Sequence, residues 1–320
     1  MTPNAKCLIV QPIHQIGIEV LRRAGITPIL CPDPSPETVL QMVSGCFAVI
    51  TRDAGLNAEA IAASGSLRVI AVHGTGHDTV DKPAAMAAGT IICTTPGANA
   101  RSVAELALGL SLSLARRIPA ADRAVRDNAD GYRERECFTE LKGKTALIVG
   151  WGHIGRLVGA MFSSGLGMKI LAFSPRVADI RGAEKVHDLC SGLAQAHLVS
   201  LHTPLRPETD GMIDAEAFAA MRPGALLVNT ARAGLIDEVA LAHALDQGVV
   251  AGAALDLFSP DAPTGPLGRN PRVILTPHLG GTTEEALAMA PTLSPCFFFR
   301  AALTGPAIVD APGTYSTLSK

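Results

Sequence analysis

The stretch TALIVGWGHIGRLVGAMF, residues 145–162, combines an apolar strand-like run, a glycine-rich turn and a helical segment. Gly150, Gly152 and Gly155 form the pattern G-x-G-x-x-G directly after the apolar run. In such a turn the first glycine permits the bend, the second lets a diphosphate approach, and the third lets helix pack on strand. Amide groups at the start of the helix favour an anion. The stretch predicts a dinucleotide-binding unit, although glycine-rich turns also serve purely structural connections.

The next strand candidate indicates which dinucleotide is bound. A carboxylate about 20 residues after the glycines usually holds the adenosine ribose. Here Ser174 stands 19 residues after Gly155, and Arg176 follows closely. A carboxylate would repel a 2'-phosphate, whereas a hydroxyl and a guanidinium can receive one. These residues therefore favour NADP over NAD, with a solvated surface role for Arg176 as the alternative.

Strand-like runs alternate with Ala- and Leu-rich helical stretches on both sides of this unit. Such alternation is typical of parallel sheets with crossover helices, so we predict two doubly wound α/β units. The remaining strand candidates are residues 7–10, 28–31, 48–51, 68–72, 90–93, 169–173, 197–202, 225–229, 249–256 and 273–277.

Residues 99–117 predict a helix that is apolar over most of its circumference. Such a helix needs covering on more than one side, which a domain junction or a homodimer interface would provide. Residues 126–143 form the longest polar stretch and predict an exposed arm.

Composition excludes several classes of function. The chain has 320 residues, enough for two domains of ordinary size. Its 27 Lys and Arg against 29 Asp and Glu give a net charge of -2 without a basic run, which disfavours nucleic acid as a partner. No uncharged apolar run reaches the roughly 18 residues of a membrane span, and no export leader is recognisable at the start. Seven scattered cysteines without a C-x-x-C pair disfavour zinc and disulfides. A cytoplasmic location is expected.

Several motifs in a fixed order resemble those of the D-isomer-specific 2-hydroxyacid dehydrogenases. The resemblance implies a Rossmann-type nucleotide domain, residues 99–282, inserted into a flavodoxin-like substrate domain formed by residues 1–98 and 283–320. The motifs are HGTGHDTVD (73–81), TTPGANARSVAELALGL (94–110), GWGHIG (150–155), HTPLRPETDGMID (202–214), VNTARAGLIDEVAL (228–241), AALDLF (253–258) and TPHLGG (276–281).

The resemblance also assigns the catalytic residues. The catalytic arginine of the family corresponds to Arg232, whose forked guanidinium suits the carboxylate and 2-oxo group of a substrate. No acidic residue stands next to Arg232 in the sequence. The catalytic histidine of the family corresponds to His278, whose imidazole can exchange a proton with the substrate oxygen near neutral pH.

The third catalytic position departs from the family pattern. Where relatives usually carry a glutamate, 29 residues after the arginine, this chain has Asp261. Asp261 can still orient the imidazole and favour its charged form, but its side chain is one methylene shorter. A turn-forming role beside Pro260 and Pro263 is the alternative.

The remaining assignments concern the two ligands. Residues matching the substrate loop are Thr75 and Gly76, with Arg52 near the distal end of the substrate. Ordinary strand-end packing is the alternative for the cofactor-lining set, which comprises His153, Ile154, Thr203, Thr230, Ala231 and Asp256.

The C-terminal part departs from relatives as well. Pro291 and Pro295 interrupt a segment that is a continuous helix in the family, so that helix should be short or kinked. Residues 297–299 are three phenylalanines, which favour packing over a cofactor site.

The sequence as a whole predicts a homodimeric NAD(P)-dependent reductase of a small 2-oxo acid, with glyoxylate and hydroxypyruvate as first substrates. No metal is expected, because arginine and imidazolium supply the electrophilic assistance. One alternative is the same fold acting on formate or phosphite. Another is a cofactor-sensing binding protein, because relatives of the family serve as corepressors.

Overall fold

The computed structural model describes residues 5–293, 308–310 and 314–316. The chain divides into two compact units, the first comprising Met1–Asn99 with Gly281–Lys320 and the second Ala100–Gly280. None of the helices in these described ranges has both the length and the hydrophobicity that crossing a bilayer requires.

The first unit begins with five strands that alternate with helices. They are β1 Lys6–Ile9, α1 Gln15–Arg23, β2 Thr27–Leu30, α2 Pro36–Met42, β3 Ala48–Thr51, α3 Ala58–Ser64, β4 Val69–Val72, α4 Lys82–Ala87 and β5 Ile91–Cys93.

The second unit opens with three helices and then alternates strands and helices. The opening helices are α5 Ala100–Ala115, α6 Ile118–Arg126 and α7 Tyr132–Arg135. The alternating elements are β6 Thr145–Val149, α8 His153–Leu166, β7 Lys169–Phe173, β8 Glu184–Val186, α9 Leu189–Leu193, β9 Leu198–Leu201, α10 Ala215–Ala220, β10 Ala225–Asn229, a 3-10 turn Ala233–Leu235, α11 Glu238–Asp246, β11 Val250–Leu255, α12 Pro266–Arg269 and β12 Val273–Leu275.

The chain then returns to the first unit with α13 Glu284–Leu293, β13 Ile308–Asp310 and β14 Thr314–Ser316. Helix α13 packs against α1, so both ends of the polypeptide contribute to this unit. Pro291 lies within the last turn of α13 rather than ending the helix before it. The predictions for Pro295 and the phenylalanines 297–299 fall outside the described residues.

Each unit is built on one seven-stranded sheet, and alternate residues of its central strands belong to two separate hydrophobic clusters. In the first sheet the order β14-β13-β5-β4-β3-β1-β2 contains the doubly wound arrangement of flavodoxin-like folds, with β14 antiparallel at the edge. In the second sheet the order β12-β11-β10-β9-β6-β7-β8 is parallel throughout, with the chain reversing direction across the sheet between β6 and β9. The predicted fold class is therefore confirmed.

All eleven strands predicted from the sequence are present, within one or two residues at most ends. Strands β3, β4, β9 and β10 are buried along their whole length, which explains their unbroken apolar character. Strand β8 was not predicted, because its sequence EKV is short and polar, as an edge position allows.

Helix α5 occupies most of the helical segment predicted at 99–117. It packs against α8, β10 and β11 within its own unit, so its covering does not require the domain junction or the dimer interface expected from the sequence. The polar stretch 126–143 is largely exposed, as predicted, and contains the short helix α7.

Candidate active site

The turn after β6 has a separate structural reason for each of its three glycines. Gly150 has a φ of 99°, and a Cβ there would lie 2.5 Å from the carbonyl oxygen of His202. A Cβ on Gly155 would collide with the carbonyl of Gly150. Gly152 faces open space and precedes α8 without a side-chain cap, which leaves room for a group at the first helical amides. The turn therefore fits a diphosphate.

This turn lies at the point where the strand order reverses. Gly150 follows β6, and His202 and Thr203 follow the neighbouring strand β9. The backbone of His202 and Thr203 packs directly against Gly150. In open α/β sheets, ligands bind outside the carboxyl ends of the strands at such a switch point.

A half-buried histidine beside the turn contacts two hydroxyl groups. The ring of His202 has Nε2 2.8 Å from Ser200 Oγ and Nδ1 3.5 Å from Thr230 Oγ1. Burial lowers the pKa of His202 to about 3, so the ring is neutral at ordinary pH. His202 was not assigned a role from the sequence, because its structural role depends on contacts with hydroxyl groups on β9 and after the end of β10.

The residues that favoured NADP lie beyond β7. Ser174 is buried, whereas Arg176 is exposed and its Nη2 lies 3.4 Å from Glu208 Oε1. An ion pair this exposed is worth at most about 1 kcal/mol. The guanidinium can therefore exchange Glu208 for a more strongly charged ligand.

Arg232 lies just beyond β10, where a buried asparagine shapes the chain. Asn229 Oδ1 accepts a hydrogen bond from the amide of Ala231 at 3.0 Å, and its Nδ2 donates to the carbonyl of Arg232 at 2.7 Å. The guanidinium Nη1 of Arg232 donates to the carbonyl of Ala231 at 2.7 Å. Asn229 was missed at the sequence level, although a polar residue ending a fully apolar strand was the available signal.

His278 lies in a loop that Asp256 holds in place. The amide of His278 donates to the carbonyls of Asp256 and Thr276, and its φ of 55° is left-handed. The carboxylate of Asp256 accepts from Thr276 Oγ1 at 2.6 Å and from the amides of Leu279 and Gly280 at 2.8 and 2.9 Å. Asp256, predicted to line the cofactor, thus also orders the chain around His278.

The ends of three adjacent strands are level. Asn229 pairs with Leu255, and Leu255 pairs with Leu275, so one row crosses β10, β11 and β12. Arg232 and His278 each follow that row by three residues. Neighbouring strands are about 4.8 Å apart, which places the two attachment points roughly 10 Å apart on one edge. Both residues therefore follow strand ends at the same edge of the second sheet.

Asp261 is not part of this arrangement in the described residues. Its side chain is exposed, and its carbonyl accepts from the amides of Thr264 and Gly265 at 3.2 and 3.0 Å, as in a turn. No hydrogen bond joins its carboxylate to His278 within residues 5–289. The loop is instead fixed by Glu238, whose carboxylate accepts from the amide and hydroxyl of Ser259. The catalytic role of Asp261 stays a prediction.

The predicted substrate residues lie in the first unit. Arg52 follows β3 and is half-buried, whereas Thr75 and Gly76 lie in the loop after β4. Thr95 anchors this loop through its amide and hydroxyl, which donate to the carbonyl of Gly74 at 2.8 and 3.3 Å.

Comparison with known proteins identifies the family. Residues 108–280 match the family model described as D-isomer specific 2-hydroxyacid dehydrogenase, NAD binding domain. The chain belongs to this family. The resemblance inferred from the motifs is therefore confirmed, and the second unit is the family's NAD-binding domain.

Proteins that resemble the chain include D-3-phosphoglycerate dehydrogenase of Mycobacterium tuberculosis, which is 40% identical over 283 residues that cover 87% of this chain and 53% of the relative. The protein of that name from Synechocystis is 36% identical over 291 residues, covering 88% and 51%. The chain thus spans about half the length of these relatives. Among solved structures, a glyoxylate reductase from Paecilomyes thermophila matches with a TM-score of 0.83 at 28% identity, covering 95% of this chain and 97% of that one.

The neutral state of His202 predicts that the protein loses stability in acid. An unfolded histidine binds its proton near pH 6.5, whereas His202 resists protonation down to about pH 3. The stabilisation is complete above pH 6.5 and is lost as the pH falls, by about 2 kcal/mol at pH 5. His73, whose pKa burial lowers to about 4, acts in the same direction. Urea unfolding between pH 4.5 and 8 measures the dependence.

His202→Asn should make the free energy of unfolding less dependent on pH over this range. The exposed His187 provides the matched control, because His187→Asn should keep the wild-type dependence. An unchanged pH dependence in His202→Asn would contradict the interpretation.

Proposed function

We propose that the chain is a nicotinamide-dependent dehydrogenase that interconverts small 2-oxo acids and D-2-hydroxy acids, with glyoxylate and hydroxypyruvate as first substrates. The observation that carries the proposal is that Arg232 and His278 each follow, by three residues, the level ends of β10 and β12 at one edge of the sheet. They share a sheet with a glycine turn shaped for a diphosphate. A glyoxylate reductase among the similar structures supports the substrate class.

Arg232 binds and polarises the substrate in this proposal. Its guanidinium presents paired N–H groups that match the planar carboxylate and the 2-oxo group. A positive charge at the 2-oxo oxygen stabilises the negative charge that develops there during reduction. Asn229 contributes by fixing the backbone of Arg232 from a fully buried position.

His278 transfers the proton. When bound, the nicotinamide supplies the hydride for C2 of the substrate. The imidazole of His278 donates a proton to the 2-oxo oxygen during reduction and accepts it from the hydroxyl during oxidation. Asp256 holds the loop that aims the ring. We assign orientation of the imidazole to Asp261, which requires its exposed carboxylate to turn towards His278.

The remaining predicted residues hold the two ligands. The backbone amides of Thr75 and Gly76 bind the substrate carboxylate, and Arg52 binds its other end. The amides after Gly152, at His153 and Ile154, hold the diphosphate. Strand-end residues line the nicotinamide half, namely Thr203, Thr230, Ala231 and Asp256.

Substitution of Arg232 and of His278 tests the proposed activity. Arg232→Lys should lower kcat/KM at least about 100-fold, because lysine cannot bind the acid through a planar fork. His278→Gln should lower kcat between about 100- and 10,000-fold, because the proton donor is lost. Initial rates with glyoxylate, hydroxypyruvate, formate and phosphite measure this, and fluorescence titration checks that the cofactor still binds.

Arg222→Lys and His187→Gln are matched controls at exposed positions and should keep wild-type rates. Wild-type rates in Arg232→Lys or His278→Gln would refute the assigned roles. Turnover of formate or phosphite alone would move the chain to that activity. Cofactor binding without turnover of any acid would favour a cofactor-sensing protein.

We further propose a preference for NADP over NAD, carried by Arg176 beside the buried Ser174. Arg176→Ala should lower kcat/KM for NADPH by about 10- to 100-fold and leave the value for NADH within about twofold, because only NADPH carries the 2'-phosphate. Arg181, exposed and paired with Asp179 in the same loop, is the matched control. A wild-type preference for NADH would overturn this proposal.

We also propose that the chain forms a homodimer through α6. Ile118 and Val125 lie seven residues apart on one helical face and are 52% and 78% exposed, which is unfavourable for apolar side chains in water. The double substitution Ile118→Asp with Val125→Asp should yield monomers in sedimentation equilibrium. Val239→Asp, at a position 72% exposed on α11, should leave the mass unchanged. A monomeric wild type would refute the dimer.

A further inference from the structure

The second unit contains a cavity of about 130 Å³ outside the candidate active site. Its walls are the end of α5, the first turns of α6, the starts of β11 and β12, and the segment 268–272 before β12. All of its lining residues belong to the second unit. Arg232, His278 and the glycine turn follow the carboxyl ends of strands, whereas this cavity lies at amino ends. The six residues of β11, roughly 20 Å in length, separate the two regions.

The lining of the cavity is cationic. Among the described residues it contains no acidic side chain and four arginines, namely Arg117, Arg123, Arg269 and Arg272. Arg117 is neutralised by Glu136, whose Oε2 lies 2.6 Å from its Nη1. The other three arginines make no ion pair in the described part of the chain. Like charges along one concave wall repel one another and focus a positive potential into the cavity, which favours an anion.

The helix ends beside the cavity act in the same direction. At the end of α5 the carbonyl of Ala115 accepts a hydrogen bond from the amide of Thr139 at 2.8 Å. The carbonyl of Leu114 accepts from the amide of Arg117 at 3.2 Å. Helix α6 begins without a side-chain cap, and Ala120 in its first turn lines the cavity. The amino end of a helix carries a partial positive charge, which adds to that of the guanidinium groups.

The size and depth of the cavity fit a small, multiply charged anion. A cavity of about 150 Å³ can hold a benzene-sized molecule, so this one admits a phosphate ion. Its lining includes the buried residues Leu114 and Gly252, and a charge interaction is stronger where water is excluded. A phosphate dianion has more acceptor oxygens than a carboxylate. It can therefore bind the paired N–H groups of more than one guanidinium.

The cavity lies on a different side of α6 from the proposed dimer face. That face is formed by Ile118 and Val125. The lining residues Ala120 and Arg123 follow Ile118 by two and five positions, which places them about 200° and 140° around the helix. Association of two copies through Ile118 and Val125 therefore does not require the cavity to be covered.

We propose that this cavity is a binding site for a small dianion of the phosphate class, held by the guanidinium groups of Arg123, Arg269 and Arg272. The site is separate from the residues assigned to hydride and proton transfer and from the glycine turn that fits a diphosphate. The bound dianion relieves the repulsion between the arginines. Because it binds only the folded chain, it also stabilises the protein by mass action.

Titration calorimetry with inorganic phosphate at constant ionic strength tests the site. The wild type should bind phosphate saturably with a Kd of about 1 mM or lower. Arg269→Gln with Arg272→Gln should weaken binding at least about tenfold, the effect of one charge-assisted hydrogen bond. Arg123→Gln, at an exposed position, should weaken it similarly and serves if the double variant does not fold.

Arg133→Gln with Arg222→Gln is the matched control. It removes the same charge as the double variant, at two exposed positions outside the cavity, and should keep the wild-type Kd. In thermal unfolding, the Tm of the wild type should rise with phosphate and stay constant with sodium chloride at the same ionic strength, because only phosphate binds the cavity.

Four results would overturn the inference. The first is a wild type that does not bind phosphate saturably, and the second is a wild-type Kd in the folded cavity variants. The third is loss of the phosphate signal in saturating NADPH, which would place the anion at the glycine turn. The fourth is dissociation of a dimeric wild type by the substitutions at Arg269 and Arg272, because these arginines would then join two copies of the chain.

Two further ligands define the class of anion. Succinate that binds more tightly than phosphate would overturn the phosphate class. Glycerol 3-phosphate distinguishes an esterified phosphate from the free ion, and tighter binding of either one supports the site and identifies its source. Calorimetry detects binding without turnover, so failure of the proposed function and failure of this site are separate results.

Discussion

The buried carboxylate of Asp256 is the contact on which the geometry of the candidate active site depends. It is 1% exposed and accepts three hydrogen bonds, including those from Thr276 Oγ1 and the amide of Gly280. These bonds hold His278 in a left-handed backbone conformation that a non-glycine residue adopts at some cost. Ser102 extends the set by donating to the carbonyl of Gly280 at 2.6 Å. Strand β11 thereby positions a residue that follows β12.

Much of the fold was predictable because parallel strands that are covered on both faces have continuous apolar sequences. The runs ALLVN and KILAF coincide with β10 and β7 at both ends. Strand β8 was not predicted, because an edge strand does not require a continuous apolar run. Its three residues have the same pattern as a loop. The packing partners of α5 were also not predicted, because the sequence shows that a helix is apolar but not which elements pack against it.

The site was predictable only where a motif carries the chemistry. Arg232 and His278 were predicted from their motifs, and the level strand ends place both after the same edge of the second sheet. Asn229 was not assigned a role, because the bonds it makes to the loop after β10 depend on how that loop folds. His202 was not assigned a role, because one of its contacts is with Thr230, after a different strand. The role of Asp261 stays a prediction, because it is drawn from a matching sequence position and the side chain of Asp261 is exposed.

The split construction of the first unit has a consequence for the order of folding during synthesis. Helix α1 lies near the start of the chain, whereas its packing partner α13 lies beyond the entire second unit. The second unit is continuous and can close its core once β12 has left the ribosome. Until α13 is synthesised, the side of α1 that packs against it stays exposed. Chaperones can recognise such an exposed surface on a nascent chain. Premature termination before α13 would therefore leave a finished nucleotide-binding unit attached to an incomplete neighbour.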